Sequence, residues 1–453
     1  MRAPDLSSVT SLAQDVRKGR ITPEALVDAC ITRISGLNPR LNAFLSLNPR
    51  ARAEALTLRA DRRAPLYGVP IAIKDLILGA DAPATAGSRI FGEGLTSDHD
   101  APVLRRLRRA GAVIVGRTNL HELALGVTNL NEHFGPARNP WDTTRVPGGS
   151  SGGSAVAVAA RMVPAAIGSD TRGSIRIPAA LCGITGLKPT YGLVPTDDVI
   201  PLSWSLDHVG PITTSVIDAA VLLGAMTTPA ATRAYTAATR RSIRRLRVGV
   251  CEYFLRDLAP DVERAVRAAV DVLAAEGARV EEIALPQIDP SHGVSATITL
   301  AEAVTYHERA LRERPEGFGP AVRGRLERGF NLTAVELVQA QRARVEITAA
   351  FDRVFRDVDC VVGATVPAVA QPIGRDELQL RGRTTTLLAE YPRLTSPANL
   401  AGIPALSVPC GFDANGLPIG FQIMAARRRD AVVLAVGAAY QRKTKWHLAV
   451  PKL

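Results

Sequence analysis

Apolar residues recur along this chain in two rhythms that alternate: the three-and-four spacing of an amphipathic helix, and short unbroken runs typical of buried strands. "ITPEALVDACITRISGLN" opens with Thr22 placed as an N-cap, Pro23 at the first helical position and Glu24 behind it, then continues at helical spacing. "YGVPIAIKDLI" predicts a short buried strand, and "DAPVLRRLRRAGAVIVGRTN" a helix, a glycine stop and the strand "AVIVG". "SAVAVAARMVPAAIGSD" repeats that helix-to-strand unit. Further along come strand "RVGVCEY", helix "DVERAVRAAVDVLAAEG", strand "ARVEEIAL", and helix "VEITAAFDRVFRD" leading into strand "CVVGAT". "ALSVPCGFDANGLPIGFQIMAA" reads as two strands joined by an Asn-Gly hairpin, and helix "DAVVLAVGAAYQR" closes the pattern. Such alternation predicts an α/β fold: a large mixed, mostly parallel twisted β-sheet covered by α-helices on both faces. No repeat and no long linker interrupts it. The weakest seam, residues 226–242, reads as a surface loop, so residues 1–453 are expected to form a single domain.

Composition narrows the class. With 46% hydrophobic and 22% charged residues the chain is globular, not disordered. A net charge of +12 first suggests a nucleic-acid or membrane partner. Arginine supplies nearly all of it, however; the lysines are only Lys18, Lys74, Lys188, Lys443, Lys445 and Lys452. The arginines sit at helical spacing, as solvated helix faces do, and no nucleic-acid-binding motif accompanies them. The expected partner is therefore a small-molecule substrate, with no nucleic acid and no membrane, on a monomer or homodimer. Cys30, Cys182, Cys251, Cys360 and Cys410 are odd in number and widely spaced, which reads as free buried thiols in a reducing compartment. The histidines form no metal-binding pair, so neither metal nor cofactor is expected. The N-terminal stretch has no apolar signal-like core, and no apolar run reaches the roughly 18 residues of a membrane span. A cytoplasmic location follows as the expectation.

Three stretches carry candidate chemistry. Lys74 stands in an apolar strand of a chain that otherwise builds its positive charge from arginine. A lysine buried there loses its proton readily and becomes a base, whereas one at a strand end that reaches solvent does not. "VPGGSSGGS", residues 146–154, has the composition of a linker, yet a buried-looking helix follows at once. It formally matches GxSxG, but the prolines at 140 and 147 exclude the strand that a nucleophile elbow needs. A phosphate cradle is only weakly supported, without a GxxxxGK[ST] pattern. In "GSDTRGSIRIPAALCG" a strand end opens into a loop whose successive N–H groups can converge on an oxyanion, with Ser174 as the nucleophile. Ser174 needs a base within reach.

Taken together, "IAIKD" (71–75), "GGSSGGSA" (148–155) and "GSDTRGSIRIPAALCGITGLKPT" (168–190) resemble the amidase signature family. Ser150 and Ser174 lie 24 positions apart, as in that family. The likeness extends over most of residues 1–215, with a signature core at about 60–215, and returns in "NLAGIPALSVPCGF"; about 230–385 is the variable, substrate-determining part. The resemblance implies Ser174 as nucleophile, Ser150 as a bridging serine after a cis peptide bond, and Lys74 as base. It implies an oxyanion hole from the backbone N–H groups of Thr171, Arg172, Gly173 and Ser174, braced by Asp170 and Arg176. Leu125, Gly126 and Arg172 are its candidate substrate contacts. Arg172 departs from the family, which usually has glycine there; at positive φ an arginine would be strained, and its side chain could favour polar or anionic substrate groups.

Within the family, the tRNA-dependent A subunits place an aspartate that binds the glutamine amine just before the "PxNLAG" stretch, where this chain has Pro392. The expectation is thus a free-standing amidohydrolase that cleaves small amides, anilides or carbamates through an acyl- or carbamoyl-enzyme. The alternatives are the glutamine-hydrolysing A subunit of a tRNA-dependent amidotransferase and, in a different class, a catalytically idle subunit or binding module.

Overall fold

The computed structural model describes residues 4–453 and gathers most of its strands into one eleven-stranded sheet. In chain order the strands are β1 (Phe44–Leu47), β2 (Pro70–Lys74), β3 (Val113–Thr118), β4 (Ala165–Asp170), β5 (Thr185–Lys188), β6 (His208–Thr213), β7 (Arg247–Cys251), β8 (Arg279–Ile283), β9 (Cys360–Ala364), β10 (Glu377–Leu380), β11 (Arg383–Thr386), β12 (Ala405–Phe412) and β13 (Pro418–Met424). Their order across the sheet is β1-β3-β2-β4-β6-β5-β12-β13-β9-β7-β8; β10 and β11 form a separate hairpin. Helices flank the sheet, so the α/β architecture is the one the apolar rhythm implies.

Strand direction is more mixed than expected. The parallel runs β3-β2-β4 and β9-β7-β8 lie towards the two ends of the sheet. The other six of the ten pairings are antiparallel, including the whole centre from β4 to β9. The centre was hard to anticipate because β5 has four residues and β6 carries Gly210 and Pro211, which weaken a strand signal. Residues 226–242 also differ from the expected loop. They hold a helix, Pro229–Ala238, started by Thr228, whose hydroxyl accepts from the Ala231 N–H, with proline at the first helical position.

The arrangement brings the chemical motifs to one edge of the parallel run. β2 and β4 are buried along their whole length and pair in register at Ala72–Ala166 and Ile73–Ile167. Their carboxyl ends present Lys74 and Asp170 side by side, where ligands bind in sheets of this kind. The helix Gly152–Ala159 is buried at every residue, and its Gly, Ala and Val side chains let it lie close on β2 and β4. The helix Arg176–Cys182 is buried throughout as well and stops at Gly183 in the left-handed region. Both Gly/Ser turns therefore open into helices that the core holds fixed. Among the described residues no helix is long and apolar enough to cross a membrane, and all five cysteines are buried and unbridged.

Ile167 lies in β4 between β2 and β6 with no exposed surface. Ile167→Ala should lower stability by about 2–5 kcal/mol, read as a lower urea midpoint with an unchanged denaturant slope. A loss under about 1 kcal/mol would mean the sheet is not packed at this point as described.

Candidate active site

Lys74 and Ser150 meet although 76 positions separate them: Lys74 Nζ lies 2.6 Å from Ser150 Oγ and 2.8 Å from Ser169 Oγ, donating to both in its charged form. Lys74 and Ser150 have no exposed surface. Burial pulls the amine down from its usual range to about 7, against the opposing pull of the Asp207 and Asp170 carboxylates. A lysine so placed is part neutral near pH 7 and can accept a proton from the hydroxyl it touches. Asp75, on the opposite face of the strand, takes no part; it accepts from the Thr85 N–H at 3.0 Å and faces Arg117.

The turn carrying Ser150 is joined to the loop carrying Ser174. The Gly149–Ser150 peptide is cis. A Cβ on Gly149 would crowd the backbone of residues 127–129 at 2.9–3.0 Å, so no larger residue fits there. Ser151 then fastens the two turns: its N–H donates to the Ser174 carbonyl at 3.1 Å, and its hydroxyl donates to the Ser169 carbonyl at 3.0 Å. Ser174 keeps 6% of its surface, and its hydroxyl makes no hydrogen bond among the described residues, with Ser150 or otherwise.

Asp170 organises the loop after β4. Its carboxylate accepts the N–H groups of Gly173 at 2.8 Å and Ile175 at 3.2 Å, and pairs with the Arg176 guanidinium at 3.0 Å. Burial alone would raise this carboxyl, but Arg176, Lys188 and the Asn399 amide outweigh it and hold the group well below the usual carboxylate range. Arg176 extends the network to the Thr395 carbonyl, Gln422 and Asn399. One expected oxyanion donor is therefore already committed. The Gly173 N–H points at Asp170, while those of Thr171, Arg172 and Ser174 make no hydrogen bond among the described residues. Gly173 itself has φ +128°, and a Cβ there would strike the Thr395 hydroxyl, so this position does require glycine.

The departure at Arg172 carries no strain, because positive φ falls on Gly173 and not on Arg172. The Arg172 side chain runs to the helix Ser291–Glu313, where Nε donates to Ser295 Oγ at 3.1 Å and Nη2 lies 3.0 Å from His292 Nδ1. The other two candidate contacts make contacts of their own: the Leu125 carbonyl accepts from Arg325 Nη1 at 2.8 Å, and Gly126 rests on the His121 ring. Pro392 brings no charge. Its carbonyl accepts from the N–H groups of Thr395 and Ser396 as the chain turns into the helix Ser396–Leu400.

Several residues of this site were not singled out from the sequence: Ser169, Asp207, Thr395, Asn399 and Gln422. Asp207 accepts from the Thr171 hydroxyl at 2.5 Å and from the N–H groups of Leu202 and Ser203, and burial raises it to about 6. The available signal was a lone polar residue in an apolar run, as in "SPANLAG" and "GFQIM". That signal is not selective. Lys188 meets it too, yet its side-chain nitrogen ends on the Ile403 and Pro189 carbonyls as a buried brace. Among the described residues no group of three or more His, Cys, Asp or Glu side chains is placed to hold a metal ion.

The chain belongs to the amidase family, whose model matches residues 25–434. It is a hydrolytic enzyme of the amidase signature type. A relative from Chloroflexus aggregans, the A subunit of a glutamyl-tRNA(Gln) amidotransferase, is 42% identical over 96% of both chains. The crystal structure of the corresponding protein from Thermotoga maritima superposes with a TM-score of 0.81 at 34% identity, covering 98% of this chain and 96% of that one. A chain from a vestigial complex tied to the origins of an s-triazine catabolic enzyme gives 0.91 at 33% identity, covering 96% and 98%. These relatives correct the expected ordering: the chain resembles the amidotransferase A subunits more strongly than the free-standing amidases. The reading as a free-standing amide or carbamate hydrolase falls with it. So does the expected partner set of a small-molecule substrate without nucleic acid on a monomer or homodimer, because the relatives are subunits named for glutamyl-tRNA.

Arg176→Leu removes the counter-ion of a wholly buried carboxylate and should cost about 3–5 kcal/mol, read from the urea midpoint. Asp170→Asn with Arg176→Leu should recover part of that loss; a double variant no more stable than Arg176→Leu would show that the pair is not the organising contact.

Proposed function

We propose that this protein is the glutamine-hydrolysing A subunit of a tRNA-dependent amidotransferase, acting in the cytoplasm together with partner subunits and glutamyl-tRNA. The observation that carries the reading is the 2.6 Å contact between a buried, readily deprotonated Lys74 and Ser150, in a chain similar over almost its full length to such subunits. In this reading Ser174 Oγ attacks the side-chain carboxamide of glutamine and passes its proton through Ser150 to Lys74. The free N–H groups of Thr171, Arg172 and Ser174 receive the negative charge on the carbonyl oxygen. The C–N bond then breaks, the proton returns to the departing nitrogen, and ammonia leaves a glutamyl ester that water hydrolyses to glutamate.

Two further features suit the role. Glutamine carries a carboxylate, and the chain offers two arginines without an ion pair among the described residues: Arg325, which donates to the Leu125 carbonyl, and Arg172, two positions before Ser174. Membership of a complex also calls for a surface that partners cover. Val335, Val338 and Val345 are 64%, 59% and 68% exposed on the helix Ala334–Asp357, an apolar face of that kind.

Purified protein should release ammonia from glutamine, and Ser174→Ala should reduce this by at least about 1,000-fold. The kcat/KM of the wild type should climb with pH on one ascending limb with an apparent pKa of about 7, as the neutral fraction of Lys74 grows. Lys74→Met should abolish that limb together with the activity. A flat profile between about pH 6 and pH 9, or full activity in the methionine variant, would overturn the relay.

A further inference from the structure

Arg172 has an unusual electrostatic situation. Arg117 and Arg176, the fully buried arginines, each face carboxylates: Asp75 and Asp81 for the first, Asp170 for the second. Arg172 is half-buried, and no acidic side chain offsets the burial that lowers its guanidinium to about 10. Its hydrogen bonds aim the group without neutralising it. Ser295 donates its hydroxyl proton to the His292 carbonyl at 2.9 Å and so offers a lone pair to Arg172 Nε. His292 is held neutral, at about 3, by burial and by the charges of Arg172 and Arg393, so its Nδ1 accepts from Nη2. Nη1 makes no hydrogen bond among the described residues. A guanidinium partly withdrawn from water without a counter-ion is costly, and a bound anion would offset that cost.

The surroundings support the same conclusion independently. Ser291, Ser295 and Thr299 follow one another at four-residue spacing on one face of the helix Ser291–Glu313, which packs on the helix Ser396–Leu400. The hydroxyls of Ser291, Thr299 and Ser396, and Nη1 of Arg393, are buried and have no partner among the described residues. Thr395, next to Ser396, donates its hydroxyl to the Arg172 carbonyl at 2.5 Å, so these unsatisfied groups adjoin the loop that carries Arg172. Arg172 precedes Ser174 by two positions. Among the described residues the Arg172 side chain makes its hydrogen bonds to Ser295 and His292 and to no acidic group.

We propose that Arg172, aimed by His292 and Ser295, anchors a carboxylate subsite beside the nucleophile loop, and that the substrate is an amide whose acyl part bears a carboxylate. The subsite rests on Ser174 as the attacking group, as in the function proposed above, but it does not require an amine on the substrate. Charge-assisted, two-pronged pairing of a guanidinium with a carboxylate supplies the selectivity.

The test uses glutarate, a dicarboxylate without amine or amide, as a competitor of fluorophosphonate labelling at Ser174. Glutarate should slow labelling of the wild type, and Arg172→Gly should need about 10- to 100-fold more for the same protection. Arg172→Lys should lie between them, and Ser295→Ala, which keeps the charge but loosens its aim, should weaken protection several-fold. In turnover, the kcat/KM ratio of glutarate monoamide over valeramide should fall by the same factor in Arg172→Gly. Equal protection and an equal ratio in wild type and Arg172→Gly would overturn the subsite, even if glutamine is hydrolysed. Arg172-dependent protection in a protein that hydrolyses the monoamide but not glutamine would uphold the subsite and overturn the glutaminase reading alone.

Discussion

Asp170 and Arg176 are wholly buried and six positions apart, and their contact joins the loop that carries Ser174 to the last third of the chain. A buried ion pair seldom adds net stability, because the desolvation of both charges cancels much of their attraction. What it supplies here is shape. Asp170 ends β4 and fixes the first turn after the strand through the N–H groups of Gly173 and Ile175. Arg176 opens the next helix and reaches Thr395, Asn399 and Gln422, which belong to the last third of the chain. A loop that leaves three N–H groups unpaired among the described residues is not held by its own backbone hydrogen bonds. Its geometry has to be imposed from outside, and this pair imposes it.

The same burial that makes the pair directional gives Lys74 a neutral form near pH 7 that can accept a proton. An unfolded lysine stays protonated to about 10.5, whereas in the fold it loses its proton from about 7 upward. Below 7 both states are charged, and the fold carries the full cost of a buried ammonium. Between 7 and 10.5 the unfolded chain binds more protons than the native one, so this cost is progressively relieved and stability rises with pH in that window. Ser150 and Ser169 soften the cost by giving the amine two oxygen partners. A site of this kind is thus a local destabilisation carried by the large core around it.

Much of this was legible in the sequence for reasons that can be named. β2, β3 and β4 are unbroken apolar runs, and Thr22-Pro23 is a strong helix start, so these elements follow from local chemistry alone. Lys74 was conspicuous because it interrupts such a run, and Ser150 and Ser174 because they sit in glycine turns that lead straight into apolar helices. The antiparallel centre was not legible: β5 and β6 are short or broken by proline, and their pairing is set by partners far along the chain. Asp207, Asn399 and Gln422 were missed because a lone polar residue in an apolar segment signals burial without saying what satisfies it, as Lys188 illustrates. The overall balance of charge misled in the same way. Arginines at helical spacing look like solvated surface, and that spacing says nothing about whether the surface is covered by a protein partner or by nucleic acid.

Position 172 shows how a long side chain can be placed beside this loop without disturbing its backbone. The conformational demand of the loop falls wholly on Gly173, whose φ of +128° and contact with Thr395 exclude a side chain. Its neighbour is free of that demand, so a long cationic side chain at 172 can leave the loop and lie along the helix Ser291–Glu313 while its own carbonyl stays fixed by Thr395. That helix lies more than a hundred positions further along the chain, yet it supplies both groups that hold the guanidinium. Backbone geometry at the reacting centre and side-chain chemistry around it are therefore set by different parts of the sequence. The first is constrained at almost every residue. The second can change through residues such as Arg172, His292 and Ser295 without moving β2, β4 or the ion pair that shapes the loop between them.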